Sequence, residues 1–235
     1  MNLGRLFRAV LWDLRLQVKY QILTVAVIVT VLYIAIFKLL VKGVFDEILI
    51  LLIFTDPAML GYIFIGALVL FEKGSNTLDA IVVSPLRIPE YLFSKVISLG
   101  LIATVCALAM AMAGHGIRFN YILFISSVFL TSAIVTLLGF AGASRIKTFN
   151  QYIIIVPMFL TPLALPLLNF FGLTNSWILY LLPTQATLNL IWGSFHSIGT
   201  ADLVYSLVYL PICLLFSYSY AAYSFRRHII ISSNS

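Results

Sequence analysis

Six long apolar runs divide the chain, and each is long enough to cross a lipid bilayer. A transmembrane helix needs about 20 consecutive, mostly apolar residues. The runs cover residues 21–41, 48–71, 96–114, 121–143, 152–171 and 203–224. This pattern predicts an all-α, polytopic membrane protein with six transmembrane helices.

The composition and the placement of charge agree with a membrane protein. Hydrophobic residues make up 62% of the chain and charged residues 9%, whereas soluble domains carry about 25% charged residues. The net charge of +6 does not indicate nucleic-acid binding, because the basic residues flank apolar runs and form no soluble basic face. With the N-terminus in the cytoplasm, 11 of the 14 Lys and Arg residues lie on the cytoplasmic side. The positive-inside rule therefore predicts a multi-pass cell-membrane protein with both termini cytoplasmic.

Residues 1–20 have the pattern of an amphipathic helix that lies in the membrane interface. Helical spacing places its apolar side chains on one face and its basic side chains on the other. The apolar run that follows is about twice as long as the core of a secretory signal, so it is interpreted as a retained span. The helix serves as a topology anchor in contact with lipid, as a docking surface for a partner, or as both. Its apolar face comprises Leu3, Leu6, Phe7, Val10, Leu11, Leu14 and Val18, opposite Arg5, Arg8, Arg15 and Lys19.

Two of the spans contain residues that interrupt a helix. Pro157, Pro162 and Pro166 predict that the fifth span is kinked or broken. In the second span, Asp56 precedes Pro57. One interpretation makes Asp56 the N-cap of a helix with Pro57 in first position, so that the span begins near Asp56 and residues 44–55 lie in the outer leaflet. The other makes Asp56 an ion-binding or substrate-binding residue.

Residues 169–202 form a polar, aromatic segment between the fifth and sixth spans. Trp177, Tyr180 and Trp192 are typical of an interfacial aromatic belt. We expect short helices that enter the outer leaflet and cap a central path. The predicted organisation is therefore an interfacial helix (1–20), a six-span permease domain (21–228) and a frayed tail (229–235).

The chain lacks the motifs of the common catalytic and metal sites. No GxxxxGK[ST] phosphate loop is present, so ATP is not expected to bind to this chain in that manner. His115, His196 and His228 have no carboxylate or second histidine at metal-binding spacing, which predicts no metal site. Cys106 and Cys213 lie in apolar runs and are interpreted as inert. We therefore expect neither a bound cofactor nor catalysis, and a membrane enzyme is disfavoured.

The polar segment 71–95, FEKGSNTLDAIVVSPLRIPEYLFSK, stands out between two apolar spans. Gly74 allows the chain to turn where the second span ends. Ser75 or Asn76 then caps a short helix over residues 77–83. Pro85 ends this helix, and a second helix begins near Pro89 and continues into the third span.

The short helix of residues 77–83 has one apolar face. Leu78, Ile81 and Val82 share that face, and Asp79 lies near the positive end of the helix. A helix of this length is not stable in isolation. It therefore packs against its own chain or fits a cleft on a soluble partner.

The same segment carries a family resemblance. The run E72-K-G-x-x-T-L-D-A-x-x-x-S84-P-L-R, followed by E90-Y-L-x-x-K95, resembles the segment after the second span of type-two ATP-binding-cassette exporter permeases. In that family it reads Glu-x-Gly-Thr-Leu-Glu, then Ser or Thr-Pro-Leu, then Lys. Here two extra residues separate Gly74 from Thr77. The runs D56-P-A-M-L-G and G66-A-L-V-L-F-E-K resemble those of the small fluoroquinolone and multidrug export permeases.

This resemblance implies a transport mechanism with partners. Two permease chains would pair, as a homodimer or a heterodimer, and each would bind a separate nucleotide-binding subunit that holds ATP and Mg²⁺. The short helix would be the coupling helix, with the N-terminal helix as a second contact. The residues implied in coupling are Glu72, Lys73, Gly74, Thr77, Leu78, Asp79, Ile81, Val82, Ser84 and Pro85.

The resemblance defines the cargo path and the cargo less closely than it defines the coupling residues. It implies a path lined by the second and fifth spans, with Asp56, Phe64, Phe159 and Pro162 as candidates, for a hydrophobic or amphipathic compound. The cargo is left open among a drug, a lipid, a peptide and a cation. Two alternatives are a secondary transporter driven by an ion gradient and a structural or immunity membrane protein without transport.

Overall fold

The computed structural model describes residues 2–40, 46–75, 77, 86–146 and 148–227. In this part of the chain the secondary structure is helical, and six stretches are long and apolar enough to cross a membrane. The predicted all-α, six-span fold is confirmed. The helices are α1 (Leu3–Lys19), α2 (Ile22–Leu40), α3 (Asp46–Thr55), α4 (Pro57–Gly74), α5 (Ile88–Gly114), α6 (Tyr121–Ser144), α7 (Phe149–Ala164), α8 (Pro166–Phe170), α9 (Pro183–Phe195) and α10 (Thr200–Phe225), with a 3₁₀ turn at Trp177–Leu181.

Successive spans run in opposite directions, which gives the bundle two ends. The ends of α4, α6 and α10 meet the starts of α2, α5 and α7 beside α1, and we call this end the α1 face. The starts of α3, α6 and α10 meet the ends of α5 and α8 beside α9, and we call that end the α9 face. Contacts between Lys73 and Ala143 at the first end, and between Asp46 and His115 at the second, join these termini.

Helices α4 and α6 pack closely at the centre of the bundle. A Cβ atom at Gly61 would lie 2.3 Å from Thr136 Oγ1 and 3.0 Å from the carbonyl oxygen of Ser132. A Cβ atom at Gly139 would lie 2.8 Å from the carbonyl oxygen of Tyr62. Since lipid gives helices little hydrophobic reason to associate, small residues that allow close backbone approach stabilise such a contact.

The second span is broken at Asp56. Pro57 starts α4, as predicted, because its ring has no N–H to donate and clashes with the preceding turn of a continuous helix. Asp56 is the N-cap residue of α4, as predicted, but its side chain makes no capping hydrogen bond. The expectation that the span begins near Asp56 is wrong, because α3 and α4 together form one apolar stretch of 29 residues.

The fifth span is broken as its prolines predicted. Helix α7 ends at Ala164 and α8 starts at Pro166, while Pro157 and Pro162 lie inside α7. The predicted short helices of segment 169–202 are present as the 3₁₀ turn and α9. Helix α9 packs between α6 and α10, where Thr187 Oγ1 lies 2.6 Å from Thr131 Oγ1 in the middle of α6.

The predicted N-terminal helix is present as α1. It packs along α5 through Val10, Leu16 and two polar residues, Asp13 and Gln17. The apolar side chains of Leu3 and Phe7 are exposed. Part of the predicted apolar face, including Leu3 and Phe7, is therefore available for contact with lipid, whereas Val10 of the same face packs against the protein.

Candidate functional site

A buried charge cluster joins three helices at the α1 face. Lys95 of α5 lies between Asp13 of α1 and Glu72 of α4, and all three residues are at most 3% exposed. Its Nζ atom is 2.6 Å from Asp13 Oδ1 and also forms an ion pair with Glu72 Oε1. Removing charges from water is costly, so such a cluster persists only when its members are well paired and hydrogen-bonded.

Neighbouring side chains complete the hydrogen bonding of this charge cluster. The hydroxyl of Tyr91 donates to Glu72 Oε2 over 2.6 Å, and the hydroxyl of Ser94 donates to Asp13 Oδ2 over 2.6 Å. The Lys95 ammonium also lies 5.1 Å from the centre of the Tyr91 ring. Each carboxylate therefore has two donors, and the cluster fixes α1, α4 and α5 relative to one another.

Two further contacts fasten α1 to α5. The backbone N–H of Asn2 donates to Glu90 Oε1 over 2.8 Å, and the same carboxylate accepts from the Arg87 N–H over 3.1 Å. Near the other end of α1, Gln17 Nε2 donates to Ser98 Oγ over 2.8 Å. With the charge cluster between them, α1 is held to α5 at three places along its length.

Lys73 joins the end of α4 to the end of α6. Its ammonium donates to the carbonyl oxygens of Ala143, Ser144 and Ile146 over 2.8–3.0 Å. These carbonyls lie at the C-terminus of a helix, where a cation is favoured by the helix dipole. The last turn of α4 is therefore anchored on two sides, by Glu72 to α5 and, through Lys95, to α1, and by Lys73 to α6.

The structure describes only part of the predicted coupling segment. Glu72 and Lys73 have their charged groups inside the chain, so they do not project towards a partner. Helix α4 ends at Gly74, where the sequence predicted a turn, although Gly74 does not have a positive φ. Ser75 Oγ donates to the Phe71 carbonyl and contacts Thr77 Oγ1 at 2.8 Å. The remaining coupling residues, Leu78, Asp79, Ile81, Val82, Ser84 and Pro85, lie outside the described residues.

A cavity of about 430 Å³ lies over the charge cluster at the α1 face. Arg8 and Trp12 of α1 line one side, and Thr77 and Leu86, which bracket the predicted coupling helix, line the other. Lys95 also contributes to its lining. The surface of α1 and the two ends of the coupling segment thus adjoin the same cavity.

A second, mostly apolar cavity of about 410 Å³ lies among α4, α6, α7 and α10. Phe159 and Pro162, two of the predicted path residues, line it together with Tyr62 and Tyr220. The rings of Tyr62 and Phe159 stack with their centres 6.3 Å apart. At one end of the cavity, Arg145 donates to the Tyr220 hydroxyl over 2.7 Å.

The other two predicted path residues lie elsewhere. Phe64 packs with the Ala26, Ile102 and Cys106 group contributed by α2 and α5, away from the second cavity. Asp56 is half-buried at the break between α3 and α4, and its Oδ2 atom is buried without a hydrogen-bond partner among the described residues. The structure therefore brings together two of the four predicted path residues.

The sequence interpretation missed several residues of these sites. Asp13 is the one acidic residue in the basic segment 1–20, and that isolation was the available signal for an internal partner. No carboxylate stands at metal-binding spacing from His115 or His196 in the sequence, but the fold brings both of them to Asp46. Their ring nitrogens lie 2.8 and 3.2 Å from the two carboxylate oxygens of Asp46.

Comparison with known sequences identifies the family. The model of the fluoroquinolones export permease protein family matches residues 4–233. The chain belongs to this family. Two relatives, both fluoroquinolones export permease proteins of Mycobacterium tuberculosis (strains CDC 1551 / Oshkosh and ATCC 25618 / H37Rv), are each 28% identical over 229 residues, which cover 96% of this chain and 97% of the relative. The predicted resemblance is confirmed, and the chain is a membrane permease of a drug-export family.

Proposed function

We propose that this permease is the transmembrane subunit of an ATP-driven exporter and that a separate nucleotide-binding ATPase docks at its α1 face. ATP and Mg²⁺ would bind to that ATPase and not to this chain. The observation that carries the proposal is the buried Asp13–Lys95–Glu72 cluster. It joins α1, α4 and α5 at the base of the segment that connects α4 to α5.

The charge cluster gives that connection a rigid base. A force applied to residues 76–85 moves the spans only if the ends of α4 and α5 do not yield. Breaking a buried ion pair by removing one partner costs about 3–5 kcal/mol, and Lys73 adds three hydrogen bonds to α6. The closed ATPase would bind the inward-open and outward-open states of the permease with different affinity. Its closure would then shift the permease from one state to the other.

The charge distribution supports a cytoplasmic α1 face. The segments at this face hold 11 of the 14 Lys and Arg residues. Under the positive-inside rule, both termini and the coupling segment are then cytoplasmic, and the α9 face is outside the cell. The α1 face is then on the cytoplasmic side, where a soluble ATPase finds ATP.

The exposed surface of α7 supports pairing with a second permease chain. The α7–α8 span is the least buried of the six, and Ile154 and Met158 are 76% and 74% exposed. Phe159 and Pro162, on the same helix, line the apolar cavity. We place the partner chain against α7, where it would complete the wall of the cargo path.

The apolar cavity fits a drug-sized, aromatic cargo. Its volume of about 410 Å³ lies within the range of about 300–1,000 Å³ that is usual for small-molecule pockets. The stacked Tyr62 and Phe159 rings offer aromatic faces. Fluoroquinolones, the compounds for which the family is named, are aromatic and amphipathic, and we propose them as cargo.

The coupling part of the proposal is tested with Leu78→Asp. The variant should lose co-purification with the nucleotide-binding subunit and the rise in ATPase rate that the permease causes. Ile117→Asp is the matched control, because it places the same charge on an exposed apolar residue at the α9 face. If Leu78→Asp retained both properties at the level of the control, the coupling assignment would be wrong.

One observation favours a second candidate, transport driven by an ion gradient. Asp56 places a carboxylate inside a span, and its buried oxygen has no hydrogen-bond partner among the described residues. Such intramembrane carboxylates commonly mark ion or proton pathways. Drug efflux that continued without ATP, followed a proton gradient and was abolished by Asp56→Asn would support this candidate against the ATP-driven one.

A further inference from the structure

A third cavity, of about 450 Å³, opens at the α9 face. Glu47 in the first turn of α3, Asn169 in α8 and Asp202 in the first turn of α10 line it from three spans. Gln185 and Trp192 of α9 complete the wall. The cavity therefore lies at the membrane end opposite Glu72 and Lys73, away from the proposed coupling site and from the apolar cavity.

The lining of this cavity carries negative charge. Of the residues that the structure describes around it, two are carboxylates, Glu47 and Asp202, and none is Lys or Arg. Among the described residues, neither carboxylate forms an ion pair. Asp46 differs from its neighbour Glu47, because both of its oxygens contact histidines.

A row of amide side chains leads to one of these carboxylates. Asn169 donates to Gln185 over 3.5 Å, Gln185 donates to Asn189 over 3.0 Å, and Asn189 donates to Asp202 over 3.5 Å. Gln185 is only 4% exposed, so the row is anchored in the protein. The Asp202 carboxylate is thus held at the cavity by a part-buried network, and a side chain in the first turn of α10 is also favoured there by the helix dipole.

Aromatic rings also line the cavity. The Trp192 ring packs edge-to-face against Phe170, with ring centres 5.8 Å apart, and stacks on His196, with ring centres 4.0 Å apart. The indole is therefore held in place. Aromatic rings attract organic cations through their π faces, and a carboxylate attracts the same cations by charge.

We propose that this cavity binds organic ammonium compounds that have an aromatic body. Glu47 and Asp202 would bind the ammonium group, the amide row would accept or donate further hydrogen bonds, and Trp192 would contact the aromatic part. The cavity would be the site from which cargo leaves the protein at the α9 face. The role of the cavity as an exit site rests on the proposed function. Binding of the ammonium compound to the cavity does not, because it requires no ATPase.

Binding is tested with two fluorescent probes and the purified chain in detergent micelles. Norfloxacin carries a basic amine, and N-acetylnorfloxacin has the same aromatic core without it. Fluorescence anisotropy should show saturable binding of norfloxacin, with a Kd at least about tenfold lower than that of the acetylated probe, as expected when a charge-assisted contact is lost. Without saturable binding of norfloxacin to the wild-type chain, the assignment fails.

The site is located with matched variants. Glu47→Gln with Asp202→Asn should raise the Kd for norfloxacin about tenfold and leave that for N-acetylnorfloxacin nearly unchanged. Asp79→Asn removes a carboxylate from the segment between α4 and α5, at the membrane end opposite the cavity, so it should keep the wild-type Kd. Equal Kd values for the double variant and Asp79→Asn would overturn the proposal.

A second readout places the probe beside one indole. In a Trp12→Phe, Trp177→Phe background, Trp192 is the remaining tryptophan of the chain. Norfloxacin should quench its emission at concentrations that match the anisotropy curve, and an emission that did not change would overturn the site.

Reconstitution with the ATPase separates failure of this inference from failure of the proposed function. Binding as expected without ATP-driven transport would leave the site standing and refute the exporter. Transport whose half-saturating norfloxacin concentration is the same in wild type and in the double variant would remove the cavity from the cargo route.

Discussion

Lys95 Nζ lies 2.6 Å from Asp13 Oδ1, although 82 residues separate them in the sequence. The pair is buried, and the same ammonium also contacts Glu72. Buried ion pairs are weak indicators of stability, because well-packed apolar residues often replace them without loss. The role of this pair is to position helices: it fixes the interfacial helix α1 against α4 and α5, the two helices that the coupling segment connects.

Lys95→Met should be the most damaging single change in the charge cluster. It would leave Asp13 and Glu72 buried without their cation, at a cost of about 3–5 kcal/mol. Asp13→Asn should cost less, because Lys95 and Glu72 remain paired. Thermal unfolding in detergent, followed by fluorescence-detected size exclusion, gives the order of stability.

A triple variant distinguishes unpaired charge from lost packing. Lys95→Met with Asp13→Asn and Glu72→Gln removes all three charges, and it should recover most of the stability lost in Lys95→Met. If the triple variant were as unstable as Lys95→Met, the instability would come from the shape of the side chain and not from its charge.

Lys73 should stabilise the permease through the end of α6. Lys73→Met removes three hydrogen bonds to carbonyl oxygens, and a hydrogen bond to a charged group contributes about 1.5–3 kcal/mol. Lys73→Arg keeps the charge, but the planar guanidinium does not match three converging carbonyls as a compact ammonium does. We therefore expect unfolding temperatures in the order wild type, Lys73→Arg, Lys73→Met. An unchanged temperature in Lys73→Met would show that these contacts contribute nothing.

The fold was predictable where one physical rule dominates over a whole segment. Bilayer thickness sets the length of an apolar span, so the six spans could be counted from the sequence. Pro57 and Pro166 each begin a helix. Pro157 and Pro162 lie inside α7, so the sequence predicted that the fifth span is interrupted but not at which proline.

The sites depend on tertiary contacts, which local patterns do not contain. Glu72 and Lys73 looked like exposed charges at the end of a span because nothing nearby in sequence neutralises them. The partners of Glu72, which are Lys95 and Tyr91, come from α5, and those of Lys73 come from the end of α6. Likewise, Asp46, His115 and His196 are far apart in the sequence and meet only when α3, α5 and α9 pack.

Gly139→Ala should disrupt the contact between α4 and α6. Its Cβ atom would meet the backbone of Tyr62 at 2.8 and 3.0 Å, and backbone cannot move aside without separating the helices. Overpacking of this kind costs about 1–3 kcal/mol. Gly142→Ala is the control on the same helix, because its Cβ atom would meet only the end of the Tyr62 side chain at 3.3 Å. Equal unfolding temperatures for the two variants would contradict the close contact.

Phe159→Leu and Phe64→Leu separate the cargo path in the structure from the path implied by the sequence. Both changes remove an aromatic ring from a partly exposed phenylalanine, but only Phe159 lines the apolar cavity and stacks near Tyr62. Aromatic pairs contribute about 0.5–1.5 kcal/mol beyond area burial, so Phe159→Leu should raise the drug concentration for half-maximal ATPase stimulation about two- to tenfold. Phe64→Leu should keep the wild-type value. The reverse order would place the path between α2, α4 and α5, on the side where Asp56 lies.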